Sequence, residues 1–132
     1  PRTTLSPSLA LKDGKPFMVF GTPGGDQQDQ WSTLMFLHHA DHRMNLQESI
    51  DCPAFHTDHF PSSFWPRAYQ SKKVVLEGRF PDSTISELKR RGHDIEIGEP
   101  WSEGRLTAAS SDGSTLKAAA NARGMQGYAA GR

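Results

Sequence analysis

The stretch that decides the fold covers residues 8–26 and has the sequence SLALK-DG-KPFMVF-GTPGG-D. Two short apolar runs flank Asp13 and Gly14, and an Asp-Gly pair in that setting favours the tight turn of a β-hairpin. Residues 21–25 are too rich in glycine and proline to continue the strand or to begin a helix. The sequence therefore predicts a β-hairpin followed by a glycine loop.

A helix is predicted directly after the glycine loop. Trp31, Leu34 and Leu37 recur at helical spacing within residues 26–42. Asp26 is placed to act as the N-cap, because a carboxylate there can accept hydrogen bonds from the first N–H groups of the helix. Strand, glycine loop and helix thus follow one another in the chain.

The rest of the chain alternates short strands with helices. Residues 45–50 form a predicted second helix, which ends before Pro53 because proline disfavours the helical conformation of the preceding residue. The further elements are a packed loop with one or two short strands (54–70), a strand (73–77), a helix (81–91) with Gly92 as C-cap, a strand (93–97), a hairpin (105–109 and 114–119) and an irregular tail (120–132). The pattern predicts an α+β fold in a single domain, residues 1–132, with antiparallel hairpins and two or three helices.

The composition excludes several classes of protein. The 132 residues carry 15 basic and 15 acidic side chains, whereas nucleic-acid-binding proteins typically carry a basic excess. The longest apolar runs are far shorter than the roughly 20 residues that span a bilayer. The one cysteine, Cys52, excludes an internal disulfide and a CxxC metal site. We therefore expect no nucleic-acid partner and no membrane span.

The glycine loop is the strongest local indication of chemistry. Adjacent glycines at Gly24 and Gly25 allow backbone N–H groups to point toward one place, and the start of the following helix adds further donors. Such a place suits an anion or a developing oxyanion. The loop matches neither the P-loop nor the GxGxxG motif. The alternative is a tight turn that only joins the strand to the helix.

Three hydroxyl groups, on Thr3, Thr4 and Ser6, precede the first strand. Hydroxyl pairs of this kind can bind a substrate carboxylate, although they are also common in ordinary loops. No serine or cysteine lies in an activating context such as GxSxG, so the residues alone indicate no nucleophile.

The histidines suggest a rival metal site. His38 and His42 are four residues apart on one helix, a spacing that can chelate a metal, and Asp41, His56 or His59 could complete a ligand set. The HExxH motif of zinc hydrolases is absent, and packed or surface histidines are the favoured interpretation. We therefore predict neither a metal nor a cofactor.

Several separated motifs, taken together and in order, resemble the C-terminal part of the small subunit of γ-glutamyltranspeptidases, which are N-terminal-nucleophile hydrolases. The resemblance covers nearly the whole chain. The motifs are Thr3-Thr4-Leu-Ser-Pro7, Lys12-Asp-Gly-Lys15, Gly21-Thr-Pro-Gly-Gly25, Asn45-Leu46, Pro53-Ala-Phe-His56, Leu88-Lys-Arg-Arg-Gly92, Gly104 and Ala120-Asn-Ala-Arg-Gly124.

The resemblance implies a self-cleaving precursor with an αββα four-layer sandwich fold. Its nucleophile is a threonine, exposed at a new N-terminus upstream of this chain, whose α-amine serves as base. The chain alone is then inactive, and its partners are the missing upstream part and a γ-glutamyl or other acyl-amide substrate. Gly24 and Gly25 match the pair whose N–H groups form the oxyanion hole, and Thr3 and Thr4 match the paired serines that bind the substrate's α-carboxylate.

Departures from the family pattern leave the substrate open. Thr3 and Thr4 replace the usual serines, Asp26 and Asp29 add negative charge after the glycines, and Ala122 replaces a proline. These changes are compatible with a hydrolase or acylase as well as a transferase. The alternative function is a non-catalytic module that binds a carboxylate or phosphate. Sheet edges left exposed in a fragment would favour a dimer. Members of the family are often exported, but the sequence does not determine the compartment.

Overall fold

The computed structural model describes residues 4–123 and 127–131. They form two compact units, one built from Pro1–Cys52 with Gly104–Arg132 and the other from Pro53–Glu103. In chain order the elements are β1 (Ser8–Lys12), β2 (Lys15–Gly21), α1 (Gln28–Ala40), α2 (Leu46–Asp51), β3 (Phe55–Thr57), β4 (Lys73–Leu76), α3 (Asp82–Arg90), β5 (Asp94–Ile97), β6 (Thr107–Ser111) and β7 (Leu116–Ala120). The α+β class with three helices is confirmed. The single domain stays a prediction, because a division into compact units does not decide whether each folds alone.

The first unit contains a four-stranded antiparallel sheet in the order β1-β2-β6-β7. The predicted hairpin at its start is confirmed, and Asp13 and Gly14 both have positive φ angles, 50° and 75°, as its tight turn requires. The second predicted hairpin is also confirmed, as β6 and β7, with its ends shifted by one to two residues. The pairing of β6 with β2 joins the two hairpins into one sheet.

Helices α1 and α2 pack on this sheet and enclose the core of the first unit. The buried core residues are Met18, Met35, Leu46, Ile50, Leu106, Ala108 and Ala119. In β2, Met18 is 1% exposed and the next residue, Val19, is 49% exposed, because side chains alternate between the two faces of a strand. Leu9 and Leu116, on the two edge strands, are 59% and 85% exposed. The dimer through exposed edges stays a prediction.

The helix ends differ in part from those predicted. Gln27, not Asp26, is the N-cap residue of α1, and its side chain makes no capping hydrogen bond. Asn45 caps α2 with a full capping box, in which the Asn45 side chain accepts from the N–H of Glu48 and the Glu48 carboxylate accepts from the N–H of Asn45. α2 ends at Asp51, before Pro53, as predicted.

The closing motif of the chain serves packing within the first unit. The Arg123 side chain is buried, and its guanidinium donates to the carbonyl oxygens of Ile50 (2.7 Å) and Cys52 (2.8 Å) at the end of α2. A cation at this end satisfies carbonyl groups that have no partner within the helix. Gly124, the last residue of the motif, lies outside the described residues.

The second unit contains a three-stranded sheet in the order β3-β4-β5. β3 and β4 are antiparallel, whereas β4 and β5 are parallel and are joined through α3. The parallel pair was not expected, because a short alternating pattern at residues 94–97 predicts a strand but not its direction. Helix α3 is shorter by one residue at each end than predicted, because Pro81 is its N-cap residue and Arg91, not Gly92, is its C-cap residue. Gly92, with a φ of 91°, follows the C-cap.

A buried carboxylate organises the second unit. Glu77 is 0% exposed, and its Oε2 accepts from the N–H of Ala54 (3.1 Å) and from Nη2 of Arg79 (2.7 Å). Its Oε1 accepts from the N–H of Glu103 (3.0 Å). The Arg79 guanidinium lies 3.5 Å from the ring centroid of Trp101. The Glu77 side chain therefore links Ala54 and Glu103, which lie at the two ends of this unit in the sequence.

Among the residues that the structure describes, no helix has both the length and the apolar character needed to cross a bilayer.

Candidate functional site

A cavity of about 470 Å³ lies in the first unit, where the residues before β1 meet the glycine loop. Its volume is within the range of small-molecule sites. Of the predicted site residues, Thr4 and Gly24 line it, Gly25 is not among the lining residues, and Thr3 lies outside the described residues. The full lining consists of Thr4, Leu5, Ser6, Pro7, Gly21, Thr22, Pro23, Gly24 and Gln28.

The glycine loop enters α1 through a short turn. The carbonyl oxygen of Gly25 accepts from the N–H of Gln28 at 3.4 Å. Within the described ranges, no residue accepts a hydrogen bond from the N–H groups of Gly24 and Gly25. The amino-terminal end of α1 follows at once and adds the positive end of the helix dipole. The loop can therefore stabilise a negative charge placed against these N–H groups.

Thr22 ties the loop to the chain that leads into β6. Its hydroxyl oxygen accepts from the N–H of Arg105 (2.8 Å), and the hydroxyl donates to the carbonyl of Pro23 (2.9 Å). The residue is 9% exposed. The Thr22 hydroxyl is thus committed to holding the loop, not to binding a ligand.

Trp31 packs against two glycines. A Cβ on Gly24, whose φ is 150°, would lie 2.8 Å from Cζ3 of the indole. A Cβ on Gly104, whose φ is 73°, would lie 3.2 Å from Cδ2 of the same ring. The indole ring is therefore packed directly against Gly24 and Gly104.

Gln28 also lines the cavity, although no sequence motif indicates it. It is 4% exposed, and its Nε2 donates to the carbonyl oxygens of Thr4 and Gly24, each at 2.7 Å. Its Oε1 accepts from the Ser6 hydroxyl at 2.6 Å. The signal available in the sequence was spacing: Gln28 follows Gly24 by four residues, and a side chain at the start of a helix points back toward the preceding turn.

Two of the three predicted hydroxyls, those of Thr4 and Ser6, belong to described residues, and these two residues differ in role. Ser6 donates its proton to Gln28 and serves the structure of the loop. Thr4 is exposed at the cavity, and its backbone carbonyl, not its hydroxyl, is held by Gln28. Thr4 is thus an exposed residue of the cavity lining.

The histidines do not come together as a metal site. His38 and His42 have ring centroids 6.0 Å apart, and burial lowers the pKa of His38. His56 and His59 belong to the second unit, where Nδ1 of His56 bonds to Glu103. Over residues 4–123 and 127–131, no group of three or more His, Cys, Asp or Glu side chains is placed to hold a metal ion.

A family model described as Gamma-glutamyltranspeptidase matches residues 1–131. Among curated proteins, the chain is 36% identical to the Glutathione hydrolase-like YwrD proenzyme of Bacillus subtilis (strain 168) over 94 residues, which cover 71% of this chain and 17% of the relative. It is 38% identical to the Oxamate amidohydrolase proenzyme of Klebsiella pneumoniae over 104 residues, which cover 78% of this chain and 18% of the relative. The chain thus spans about a fifth or less of the length of these relatives.

Among solved structures, LmbA2991T421A matches the whole chain. The TM-score is 0.93 and the sequence identity is 54%, with 100% of this chain and 24% of that chain covered. Similarity at this level shows that the two proteins share a fold over this chain.

Proposed function

Because this chain belongs to the γ-glutamyltranspeptidase family, we propose that the protein containing it cleaves γ-glutamyl or related acyl amides through a threonine ester. In this proposal the N–H groups of Gly24 and Gly25 hold the oxyanion, and the hydroxyls of Thr3 and Thr4 hold the carboxylate of the substrate. The names of two relatives, a glutathione hydrolase-like proenzyme and an oxamate amidohydrolase proenzyme, support an amide-cleaving reaction.

The nucleophile is the threonine exposed when the precursor cuts itself upstream of this chain. Its hydroxyl oxygen attacks the amide carbon, and its own α-amine takes the hydroxyl proton. The former carbonyl oxygen becomes an oxyanion, and the C–N bond then breaks as the proton passes to the leaving amine. Water or an acceptor amine attacks the resulting ester, which releases the acid or a new amide and restores the threonine.

One observation carries the proposal: Thr4 and Gly24 line the same cavity, and Gln28 holds the carbonyl of the Gly24–Gly25 peptide. Donors fixed before the reaction stabilise a developing charge without reorganising. A hydroxyl and an oxyanion site at one cavity suit a substrate that carries both a carboxylate and a cleavable carbonyl.

The proposal is tested by removing one oxyanion donor from the full-length protein. Gly25→Pro deletes the N–H, whereas Gly25→Ala keeps it and serves as the matched control. With a γ-glutamyl anilide and with oxamate as substrates, we expect kcat of Gly25→Pro to fall by about 100-fold or more, as loss of an oxyanion donor does in other enzymes. Unchanged turnover in Gly25→Pro would overturn the assignment.

Self-cleavage is measured on the same samples by intact mass. Two chains, split before a threonine, serine or cysteine upstream of residue 1, are expected for the wild type, and rates are expressed per cleaved molecule. A single uncut chain that binds glutamate or phosphate but turns over neither substrate would favour the binding module.

A further inference from the structure

The amide of Gln28 lies between two segments of the chain that have different proposed roles. Both Nε2 protons are used, one on the carbonyl of Thr4 and one on the carbonyl of Gly24. The amide oxygen faces a hydroxyl donor, Ser6. A rotated amide would place its oxygen against two carbonyl oxygens, so the hydrogen bonds admit one orientation of this side chain.

The bond to Gly24 controls the direction of the next N–H. The peptide unit between Gly24 and Gly25 is trans, so its carbonyl and its N–H point in opposite directions. When Gln28 holds the Gly24 carbonyl at 2.7 Å, the Gly25 N–H is directed away from the Gln28 amide. The flexible glycine pair thereby acquires a single orientation.

The bond to Thr4 fixes the second segment. Residues 4–7 precede β1 and contain no helix or strand, so little regular structure holds them. The Thr4 carbonyl bonds to the same nitrogen that holds the Gly24 carbonyl. One buried side chain therefore joins the Thr4 segment to the glycine loop.

We propose that Gln28 is a positioning residue that aligns the carboxylate-binding segment and the oxyanion loop with each other; this inference rests on the proposed function. The hydrogen bonds of the Gln28 amide are made to Thr4, Ser6 and Gly24. This side chain aims the Gly25 N–H and holds Thr4 at a fixed distance from it, so one substrate engages both. Loss of this alignment affects binding and chemistry together.

Three variants of the full-length protein separate this role from simple packing. Gln28→Met keeps the length of the side chain and removes every hydrogen bond. Gln28→Glu keeps an acceptor for Ser6 and replaces the Nε2 donors with an oxygen. Gln27→Met is the matched control, because Gln27 is adjacent and makes no capping hydrogen bond with its side chain.

Steady-state kinetics per cleaved molecule give the first result. We expect both Gln28 variants to lower kcat by about 10- to 100-fold, as displacement of a reacting group does, and to raise KM. Gln27→Met is expected to keep the values of the wild type. A lower melting temperature of the Gln28 variants with unchanged kcat and KM would show a merely structural role and overturn the inference.

Hydrogen exchange followed by mass spectrometry gives a result that does not depend on turnover. In Gln28→Met, peptides covering residues 4–7 and 21–26 are expected to exchange about 10-fold faster than in the wild type and in Gln27→Met. Unchanged exchange in both peptides would overturn the inference.

Gly25→Pro, assayed in parallel, separates the inference from the proposed function. If Gly25→Pro loses turnover while the Gln28 variants keep it, the positioning role fails and the proposed function stands. If Gly25→Pro keeps turnover, the oxyanion assignment fails and the role of Gln28 in catalysis fails with it.

Discussion

Gly24 and Trp31 are packed so closely that a Cβ on Gly24 would lie 2.8 Å from Cζ3 of the indole. Carbon atoms in contact are normally about 3.5–4.0 Å apart, so no larger residue fits unless the ring moves. The same ring lies under Gly104, which immediately precedes the chain leading into β6. Trp31 of α1 is therefore packed against both Gly24 of the glycine loop and Gly104.

Gly104→Ala should destabilise the protein more than Gly14→Ala does. The two glycines have nearly equal φ angles, 73° and 75°, so a side chain strains both backbones equally. A Cβ meets Trp31 at 3.2 Å in Gly104→Ala and nothing within 4 Å in Gly14→Ala. We expect a loss of about 1–2 kcal/mol for Gly14→Ala and about 1 kcal/mol more for Gly104→Ala, in the free energy of unfolding measured with urea. Equal losses would show that the ring yields freely.

Thr4→Val should raise KM and leave kcat nearly unchanged. Valine has the shape of threonine but lacks the hydroxyl that we assign to the substrate carboxylate. A hydrogen bond to a charged group is worth about 1.5–3 kcal/mol, which corresponds to an increase in KM of about 10-fold or more. Thr4→Ser, the control, keeps the hydroxyl and should retain a low KM. Steady-state kinetics of the two variants decide the point, and equal KM values would remove Thr4 from the binding site.

Glu77→Ala should severely destabilise the second unit. The substitution leaves the Arg79 guanidinium and the N–H groups of Ala54 and Glu103 without this acceptor. Breaking a buried charge pair costs about 3–5 kcal/mol, which thermal denaturation detects readily. Glu87→Ala is the control, because Glu87 is a surface residue paired with Arg90 and should matter little. A similar melting temperature for both variants would contradict the structure.

The Asp112 carboxylate should stabilise the β6–β7 hairpin only when it is ionised. The N–H groups of Ser114 and Thr115, with the Ser114 hydroxyl, lower the pKa of Asp112 from 3.8 to about 2. The folded state therefore favours the charged form, and the stabilisation is complete above about pH 4 and disappears as the pH falls toward 2. Asp112→Ala should melt below the wild type at pH 6, and the difference should shrink between pH 4 and pH 3. A constant difference would contradict this pKa.

Much of the fold could be predicted because its signals are local. The Asp13-Gly14 turn, the apolar spacing of α1 and the proline after α2 each act on neighbouring residues. Pairing between distant segments has no such signal: Gly21 and Thr107 are partners in the sheet, and nothing near either residue specifies the other. The parallel direction of β5 could not be predicted for the same reason.

The candidate site divides in the same way. Gly24 could be predicted as a site residue because adjacent glycines before a helix indicate an oxyanion site. Thr4 could be predicted because other hydroxyl-bearing residues lie next to it in the sequence. Gln28 was missed because its partners Thr4 and Ser6 are 24 and 22 residues away in the sequence. A glutamine at the start of a helix is ordinarily a solvated residue, and only the folded chain makes it a buried one.

The order of the elements also has a consequence for synthesis on the ribosome. The second unit is continuous in sequence, so every strand partner within it is available once Glu103 has emerged. The first unit is interrupted, and β2 cannot pair with β6 until Thr107 has been translated. At about 5–20 residues per second, translation leaves one edge of the β1–β2 hairpin unpaired for on the order of ten seconds. All strands of the second unit are therefore translated before the strand that completes the pairing of β2.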